Sequence, residues 1–243
     1  MKLTVQDHEK LAQAAANDVE KRLEKAISGR GMAHLILATG NSQLKFLASL
    51  RKTKIQWNKV IVFHLDEYLG LDQKHPASFR NYLRINIIDA VKPHRFYPLD
   101  ADREDLDQMI KEYDGLLRKY PVDVACIGIG ENGHLAFNDP GVADFNDKKL
   151  IKEVLLDRDC RLQQLNEGWF ENMDAVPKKA ITLTIPAIMN AKHINCFVPD
   201  NRKAKAVKNA LEGDIVASCP ASVLRKHPSV NLFLDPPAAS LLS

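Results

Sequence analysis

The amino-acid sequence predicts an α/β protein built on a Rossmann-like, doubly wound and mainly parallel sheet with helices on both faces. Short and mostly apolar runs, as at residues 60–63 and 122–129, alternate with longer segments in which apolar residues recur at helical spacing. Strands of a parallel sheet are buried on both faces, and alternation with helices favours parallel pairing. The 243 residues show no internal repeat, low-complexity tract or clear linker, so we expect a single domain over residues 1–243.

The first helix is predicted at residues 7–27, because apolar residues recur every fourth position from Leu11 to Leu23 and Gly29-Arg30-Gly31 then ends the pattern. The expected strands are residues 34–38, 60–63, 122–129, 150–156, 180–185, 193–198 and 230–234. The other expected helices run from the turn at 39–42 through residue 50, and over residues 78–90, 104–119, 186–191 and 201–211. Residues 137–149 have mixed signals and are expected to be loop.

Polar segments follow four of these strands directly. Ligands of open α/β sheets bind beyond the carboxyl ends of the strands. If the strands ending near residues 38, 64, 128 and 198 are parallel, their polar segments lie at one edge of the sheet. We therefore expect convergence of residues 39–42, 66–67, 130–139 and 200–203.

The turn Thr39-Gly40-Asn41-Ser42 follows a strand and opens a helix, where free backbone N–H groups and the helix dipole attract anions. It matches neither of the glycine-rich nucleotide-binding patterns, and a serine-capped turn also occurs without any ligand. Lys203, in an early helical turn, opposes the dipole and is better tolerated beside an anion. Its neighbours Arg202 and Lys205 are equally consistent with a solvated face.

Asp66 and Glu67 come directly after an apolar strand. Partial desolvation there raises the pKa of a carboxyl group and makes it a better general base. Of two adjacent acids, one can react while the other orients it. The alternative is that an acid at the strand end only caps the next turn.

His134 lies in a turn that contains Gly128, Gly130 and Gly133, and such spacing lets the backbone approach a ligand closely. Imidazole suits proton transfer near neutral pH. Asp139 lies five residues after it and is expected to hold its tautomer, as an acid does in a catalytic triad. The alternative is an ordinary surface or core histidine.

Composition argues against several other classes of protein. The net charge is +3 with scattered basic residues, so we expect no nucleic-acid or membrane partner. The first seven residues lack the apolar core of a secretory signal, which favours a cytoplasmic protein. The four cysteines form no Cys-x-x-Cys pair, so we expect no zinc cage, and Cys126 and Cys196 are expected in the core.

The sequence resembles the glucosamine-6-phosphate deaminase/isomerase family, within the wider group that includes 6-phosphogluconolactonases. The resemblance runs along nearly the whole chain. Its main motifs are Ala38-Thr39-Gly40-Asn41-Ser42, Leu65-Asp66-Glu67-Tyr68-Leu69-Gly70-Leu71, and Gly128-Ile129-Gly130-Glu131-Asn132-Gly133-His134-Leu135-Ala136-Phe137-Asn138-Asp139-Pro140. It continues in His75-Pro76, Ala180-Ile181-Thr182-Leu183-Thr184, Lys203-Ala204 and His227-Pro228.

The resemblance implies an aldose–ketose isomerisation coupled to loss of ammonia, without a metal or an organic cofactor. It implies that His134 helps to open the sugar ring and that Asp66 moves a proton between C2 and C1 through an enolamine. Asp139 and Asn132 would orient His134, and Glu67 would support the site. The sugar phosphate would be bound by Thr39, Gly40, Asn41, Ser42, Lys203 and Arg161.

Departures from the family pattern leave the substrate open. Asp139 stands where glutamate is common, and the segment from Asp157 to Gln164 differs most. Galactosamine 6-phosphate is one alternative substrate. Two other readings are hydrolysis of a phosphorylated sugar lactone and a sensor that binds a phosphosugar without turning it over. For the assembly we expect a monomer or a small homo-oligomer.

Overall fold

The structure is a computed structural model, and it describes residues 1–166 and 168–243. The described strands are β1 (Lys2–Val5), β2 (Ala33–Leu37), β3 (Val60–His64), β4 (Asp66–Tyr68), β5 (Arg95–Tyr97), β6 (Val124–Ile127), β7 (Ile151–Leu155), β8 (Lys179–Leu183), β9 (His193–Val198) and β10 (Val230–Leu234). The α-helices are α1 (His8–Arg30), α2 (Leu44–Leu50), α3 (Phe79–Leu83), α4 (Asp89–Val91), α5 (Leu106–Lys119), α6 (Arg158–Asn166), α7 (Ile185–Met189), α8 (Ala204–Glu212) and α9 (Pro236–Ala239).

A parallel sheet of seven strands in the order β1-β10-β9-β6-β2-β3-β5 forms the centre of the described chain. From β2 the chain proceeds outward through β3 to β5, whereas β6, β9 and β10 are added on the other side. The strand order therefore reverses between β2 and β6, which is where ligands bind in sheets of this kind. The expected mainly parallel, doubly wound α/β architecture is confirmed.

Alternate residues of the central strands face opposite layers of the core. Leu35 and Leu37 pack with apolar residues of α1 and α2, whereas Ile36 between them packs in the cluster formed with α5, α7 and α8. Because both faces of the strand are covered, every residue of β2 is buried, including the polar His34. Cys126 and Cys196 are buried free thiols in these two layers, as expected.

A second sheet, β4-β8-β7, is antiparallel. The runs at residues 150–156 and 180–185 were expected as strands without this separate pairing, and the strand at Asp66 was missed altogether. Only Leu65 separates β3 from β4, so the chain passes from one sheet to the other across one residue. A three-residue strand that contains two acids has no apolar run to reveal it, which is why sequence pattern does not find it.

Several other boundaries differ from expectation. The helix predicted at 78–90 begins at Phe79 under an N-cap from Ser78, but it passes into a π-helical turn over Arg84–Ile88. The short edge strands β1 and β5 and the helix α6 were not predicted. The last strand before the histidine turn ends at Ile127, which leaves Gly128 and Ile129 outside it. Over the described residues, none of the helices is both long and apolar enough to span a bilayer.

The Glu67 side chain ties β4 to the start of α3. Its carboxylate accepts hydrogen bonds from the backbone N–H of Tyr68, Phe79 and Arg80 at 2.8–3.0 Å and from the hydroxyl of Ser78 at 3.0 Å. The guanidinium of Arg80 lies 3.4 Å from the same carboxylate. Burial raises the pKa of Glu67, while these hydrogen bonds act against that rise. One carboxylate thus satisfies donors that would otherwise be buried without partners.

Replacing Glu67 with Gln is expected to lower the free energy of unfolding by about 3 kcal/mol, because an amide NH₂ would face N–H donors and leave Arg80 without its buried partner. Urea denaturation followed by circular dichroism measures this. The matched control is Glu153→Gln, which breaks an exposed pair with Lys179 and is expected to cost less than about 0.5 kcal/mol. Equal losses in the two variants would contradict the role given to Glu67.

Candidate active site

A cleft of about 910 Å³, counted out to its open mouth, lies beyond the carboxyl ends of β2, β3, β6 and β9. All four polar segments expected to converge contribute to its walls. The lining includes Thr39, Gly40, Asn41, Ser42, Asp66, Gly128, Gly130, His134, Arg202 and Lys203. Aromatic side chains from Phe79, Tyr82, Phe137 and Trp169 complete the wall. The cleft therefore occupies the position where the strand order reverses.

Asp66 is a nearly buried carboxyl group, 7 % exposed, in the wall of this cleft. Because β4 alternates its side chains, Asp66 faces the cleft while Glu67 faces α3. Burial raises the pKa of Asp66 to about 8, and the negative charges of Glu67 and Asp139 add to the rise. A carboxyl group with such a pKa can both accept and return a proton near neutral pH.

His134, Asn132 and Asp139 form a hydrogen-bonded group. The Nδ1 atom of His134 lies 2.8 Å from Oδ1 of Asn132 and 3.0 Å from Oδ1 of Asp139. The side-chain amide of Asn132 donates to Asp139 at 2.8 Å, which orients its own oxygen toward the imidazole. With two acceptors beside it, Nδ1 carries the hydrogen, and Nε2 is the ring nitrogen left to exchange a proton. The structure thus brings together the three residues that the sequence analysis grouped.

The charge of Asp139 is stabilised within the protein. Burial alone would raise the pKa of its carboxyl group, but hydrogen bonds from His134, Asn132 and the thiol of Cys160 hold it below the usual value. Asp139 is therefore ionised while Asp66 is readily protonated. Two carboxyl groups of one site whose pKa values are pushed apart are suited to different tasks.

The imidazole of His134 packs closely against Gly130, which has no side chain to displace it. A Cβ atom at this position would lie 2.2 Å from ring atoms of His134, so no larger residue fits without moving the ring. The turn is closed by backbone hydrogen bonds from Gly130 N–H to the carbonyl of His134 and from Gly133 N–H to the carbonyl of Gly130. The glycine spacing seen in the sequence thus serves the placement of the histidine itself.

Two similar turns form another part of the cleft wall. Gly40 has a φ of 107° and precedes a 3₁₀ turn, Asn41–Gln43, that continues into α2; Asp200 has a φ of 92° and precedes Asn201–Lys203, which continues into α8. Both helical segments therefore begin at the cleft. The Tyr82 hydroxyl donates to the carbonyl of Gly40 at 2.7 Å and holds the first turn. Lys203, 7 % exposed, lines the cleft at the second turn.

Two residues expected at the site lie elsewhere. Glu67 is not among the described lining residues and serves the structural role given above. Arg161 also lies outside that lining, and its guanidinium donates to the backbone carbonyls of Val176 and Met173. An arginine that satisfies buried-loop carbonyls is committed to folding, so its contacts do not agree with the expected phosphate contact.

Sequence reasoning missed Gln43, which lines the cleft and donates from its side-chain amide to the carbonyl of Phe197 at 3.0 Å. This bond joins the turn after β2 to the end of β9. The sequence does contain a signal for this buried contact, because Gln43 has the helical spacing of the apolar residues Phe46, Leu47 and Leu50. A polar residue on such a stripe requires an internal hydrogen-bond partner.

Within the described part of the chain, no cluster of three or more His, Cys, Asp or Glu side chains has the arrangement needed to hold a metal ion. The imidazole Nδ1 is already used by oxygen acceptors. Asp66 and His134 are both suited to proton transfer with a bound molecule.

Comparison with known proteins agrees with this arrangement. The profile described as glucosamine-6-phosphate isomerases/6-phosphogluconolactonase matches residues 6–232. Glucosamine-6-phosphate deaminases of Bacillus cytotoxicus and of Bacillus thuringiensis are each 36 % identical over 241 residues, which is 99 % of this chain and 88 % of theirs.

Solved structures give the same result. A monomeric glucosamine-6-phosphate deaminase superimposes with a TM-score of 0.90 at 30 % identity, covering 99 % of this chain and 100 % of that one. The 6-phosphogluconolactonase of Trypanosoma brucei has a TM-score of 0.82 at 17 % identity, covers 100 % of this chain and 98 % of that one, and shares the fold. The chain is therefore an enzyme that belongs to the family of glucosamine-6-phosphate isomerases/6-phosphogluconolactonases.

Proposed function

We propose that this enzyme converts glucosamine 6-phosphate to fructose 6-phosphate and ammonia. The observation that carries the proposal is the presence in one cleft of a desolvated carboxyl group, Asp66, and an oriented imidazole, His134. The full-length similarity to glucosamine-6-phosphate deaminases supports this substrate over a lactone, since the 6-phosphogluconolactonase of Trypanosoma brucei is only 17 % identical and shares the fold alone.

The first step is ring opening. Nε2 of His134 accepts the proton of the anomeric hydroxyl and returns it to the ring oxygen as the C1–O5 bond breaks, which yields the open-chain aldehyde. Asp139 stabilises the imidazolium that forms for that moment, because its carboxylate lies 3.0 Å from Nδ1. Asn132 keeps the ring orientation constant through both proton transfers.

The second step is proton transfer between carbons. The carboxylate of Asp66 removes the proton from C2, and the electron pair forms the C1–C2 double bond of an enolamine while the aldehyde oxygen takes a proton from the substrate's own ammonium group on C2. Asp66 then delivers its proton to C1, which gives a protonated ketimine at C2. Addition of water to the ketimine releases ammonia and leaves fructose 6-phosphate. A pKa of about 8 suits a group that must take and give back one proton.

The phosphate is positioned at the other end of the cleft. We assign its binding to the turn at residues 39–42 and to Lys203, where two helical segments begin and a nearly buried ammonium group is present. The hydroxyls of Thr39 and Ser42 add donors. Binding energy from this end holds C2 beside Asp66, and such positioning accounts for a large part of catalysis in bimolecular and isomerisation reactions.

We infer that residues 1–243 act as one catalytic domain in the cytoplasm, in the breakdown of amino sugars, as a monomer or small homo-oligomer. The monomeric state of a deaminase with a TM-score of 0.90 supports the smaller assembly. Galactosamine 6-phosphate stays the alternative substrate, and it differs in the configuration at C4 rather than at the reacting carbons.

Replacing Asp66 with Asn is expected to reduce ammonia release from glucosamine 6-phosphate by at least about 10³-fold, because an amide cannot accept the C2 proton. A coupled assay for ammonia, run also with galactosamine 6-phosphate and with 6-phosphogluconolactone, measures the activity and names the substrate. The Glu153→Gln variant serves as the surface control and keeps wild-type turnover. Full activity of Asp66→Asn would contradict the role of the base, and lactone hydrolysis without ammonia release would contradict the function.

Replacing Gly130 with Ala is expected to lower kcat by roughly 10²-fold with little change in KM, because the new methyl group would displace the His134 ring and leave the phosphate end intact. The matched control is Gly115→Ala in α5, where an added Cβ meets nothing within 4 Å. That control is expected to keep its activity and to gain about 0.5–1 kcal/mol of stability. A Gly130→Ala enzyme with unchanged kcat would refute the placement of the imidazole.

A further inference from the structure

Arg202 lies at the second turn of the cleft, directly before Lys203, and belongs to the cleft lining. Its guanidinium donates from Nε and Nη2 to one carboxylate oxygen of Asp200, at 3.1 and 3.0 Å. The Nη1 atom also lies 3.3 Å from a carboxylate oxygen of Glu131. These contacts hold the guanidinium at the mouth of the site.

The ion pairs of Arg202 with Asp200 and Glu131 are of the weak, solvated kind. The side chain of Arg202 is 55 % exposed, and those of Asp200 and Glu131 are 39 % and 37 % exposed. Exposed pairs of this kind contribute little, because water screens them and the side chains lose freedom. A phosphate group offers a guanidinium two parallel charge-assisted hydrogen bonds and is a stronger partner than either carboxylate.

The charge of the cleft calls for another cation. A phosphate ester carries about −1.5 to −2 charges near pH 7, and Lys203 balances one of them. The ionised Asp139 adds negative charge beside His134. Arg161 is engaged with backbone carbonyls away from the cleft. Arg202 is the arginine that the described lining contains.

Glu131 lies in the same turn as Asn132 and His134. Its pair with Arg202 therefore joins the proton-transferring end of the cleft to the phosphate end. An anion that draws the guanidinium toward itself must do so against Glu131. The carboxylate thus acts as an internal competitor for any bound phosphate.

We propose that Arg202 is a second phosphate-binding cation of this cleft and that Glu131 competes with the phosphate for its guanidinium. The inference deepens the proposed function, on which it rests for the identity of the phosphate ester. Glu131 and Asp200 hold Arg202 in place before binding, so the phosphate meets a guanidinium that is already at the cleft. When the phosphate leaves, the same carboxylates take the guanidinium back, which eases product release.

Calorimetric titration of the full-length protein with inorganic phosphate at low ionic strength tests the binding role without any catalysis. Arg202→Gln is expected to weaken phosphate binding by about tenfold or more, the amount typical of a lost charge-assisted hydrogen bond. The matched control is Lys205→Gln, which removes the same charge from an exposed position two helical residues beyond Lys203 and is expected to change binding by less than about twofold. Arg202→Lys should recover part of the affinity.

Glu131→Gln tests the competition. It is expected to tighten phosphate binding by about two- to fivefold, since it removes an exposed ion pair, and to have no such effect when combined with Arg202→Gln. With glucosamine 6-phosphate, Arg202→Gln should raise KM far more than it lowers kcat. Circular dichroism confirms that each variant is folded.

The outcomes separate this inference from the proposed function. Phosphate affinity of Arg202→Gln within about twofold of wild type, or a wild-type protein that does not bind phosphate, overturns the role of Arg202. If Glu131→Gln also tightens phosphate binding in the Arg202→Gln background, the proposed competition is overturned. If phosphate binding follows the expected pattern but no amino-sugar phosphate releases ammonia, the proposed function fails and the role of Arg202 stands.

Discussion

The desolvation of one carboxyl group, Asp66, is the constraint on which the rest of the site depends. A carboxyl group that is 7 % exposed cannot be held by solvent, so the backbone on both sides of it must be fixed by the protein. The chain achieves this by passing from β3 to β4 across Leu65 and pairing Asp66 with Thr182 of β8. The small antiparallel sheet is thus the frame that carries the base, while the large parallel sheet carries the histidine and the phosphate turns.

Holding Asp66 in this state has a thermodynamic cost. The unfolded chain releases the proton of this group near its ordinary pKa of 3.8, whereas the folded protein keeps it until about pH 8. Between these values the folded state binds more protons, so the contribution of Asp66 to stability falls as the pH rises. The hydrogen bonds of Glu67 to the start of α3 offset part of this cost one residue away. The free-energy cost of burying a functional carboxyl group is thus partly offset by a neighbouring residue that takes no part in the chemistry.

Much of this arrangement follows from sequence pattern and some of it does not. The apolar runs of β2, β3, β6 and β9 predict the parallel sheet and bring their polar segments to one edge, as the lining of the cleft confirms. The sequence does not tell which of the adjacent acids Asp66 and Glu67 faces the cleft. That is decided by the pairing of β4 with β8.

Arg161 and Arg202 show the same limit on the phosphate side. Each lies near a segment that suggests a role for a cation, but its contacts depend on which distant turn or loop it meets in space. Arg161 contacts the carbonyls of Val176 and Met173, and Arg202 contacts Glu131. No periodicity encodes such tertiary contacts, so the sequence locates the site and leaves its cations undecided.

Direct titration of Asp66 tests the central claim of this account. Carboxyl ¹³C chemical shifts of aspartate-labelled protein, compared with those of Asp66→Asn to assign the resonance, report the pKa of this one group. A pKa near 8 is expected, so that both the carboxylate and its protonated form are populated near neutral pH. A midpoint near the ordinary value of 3.8 would show that Asp66 is solvated, and the physical basis for its role as the base would be lost.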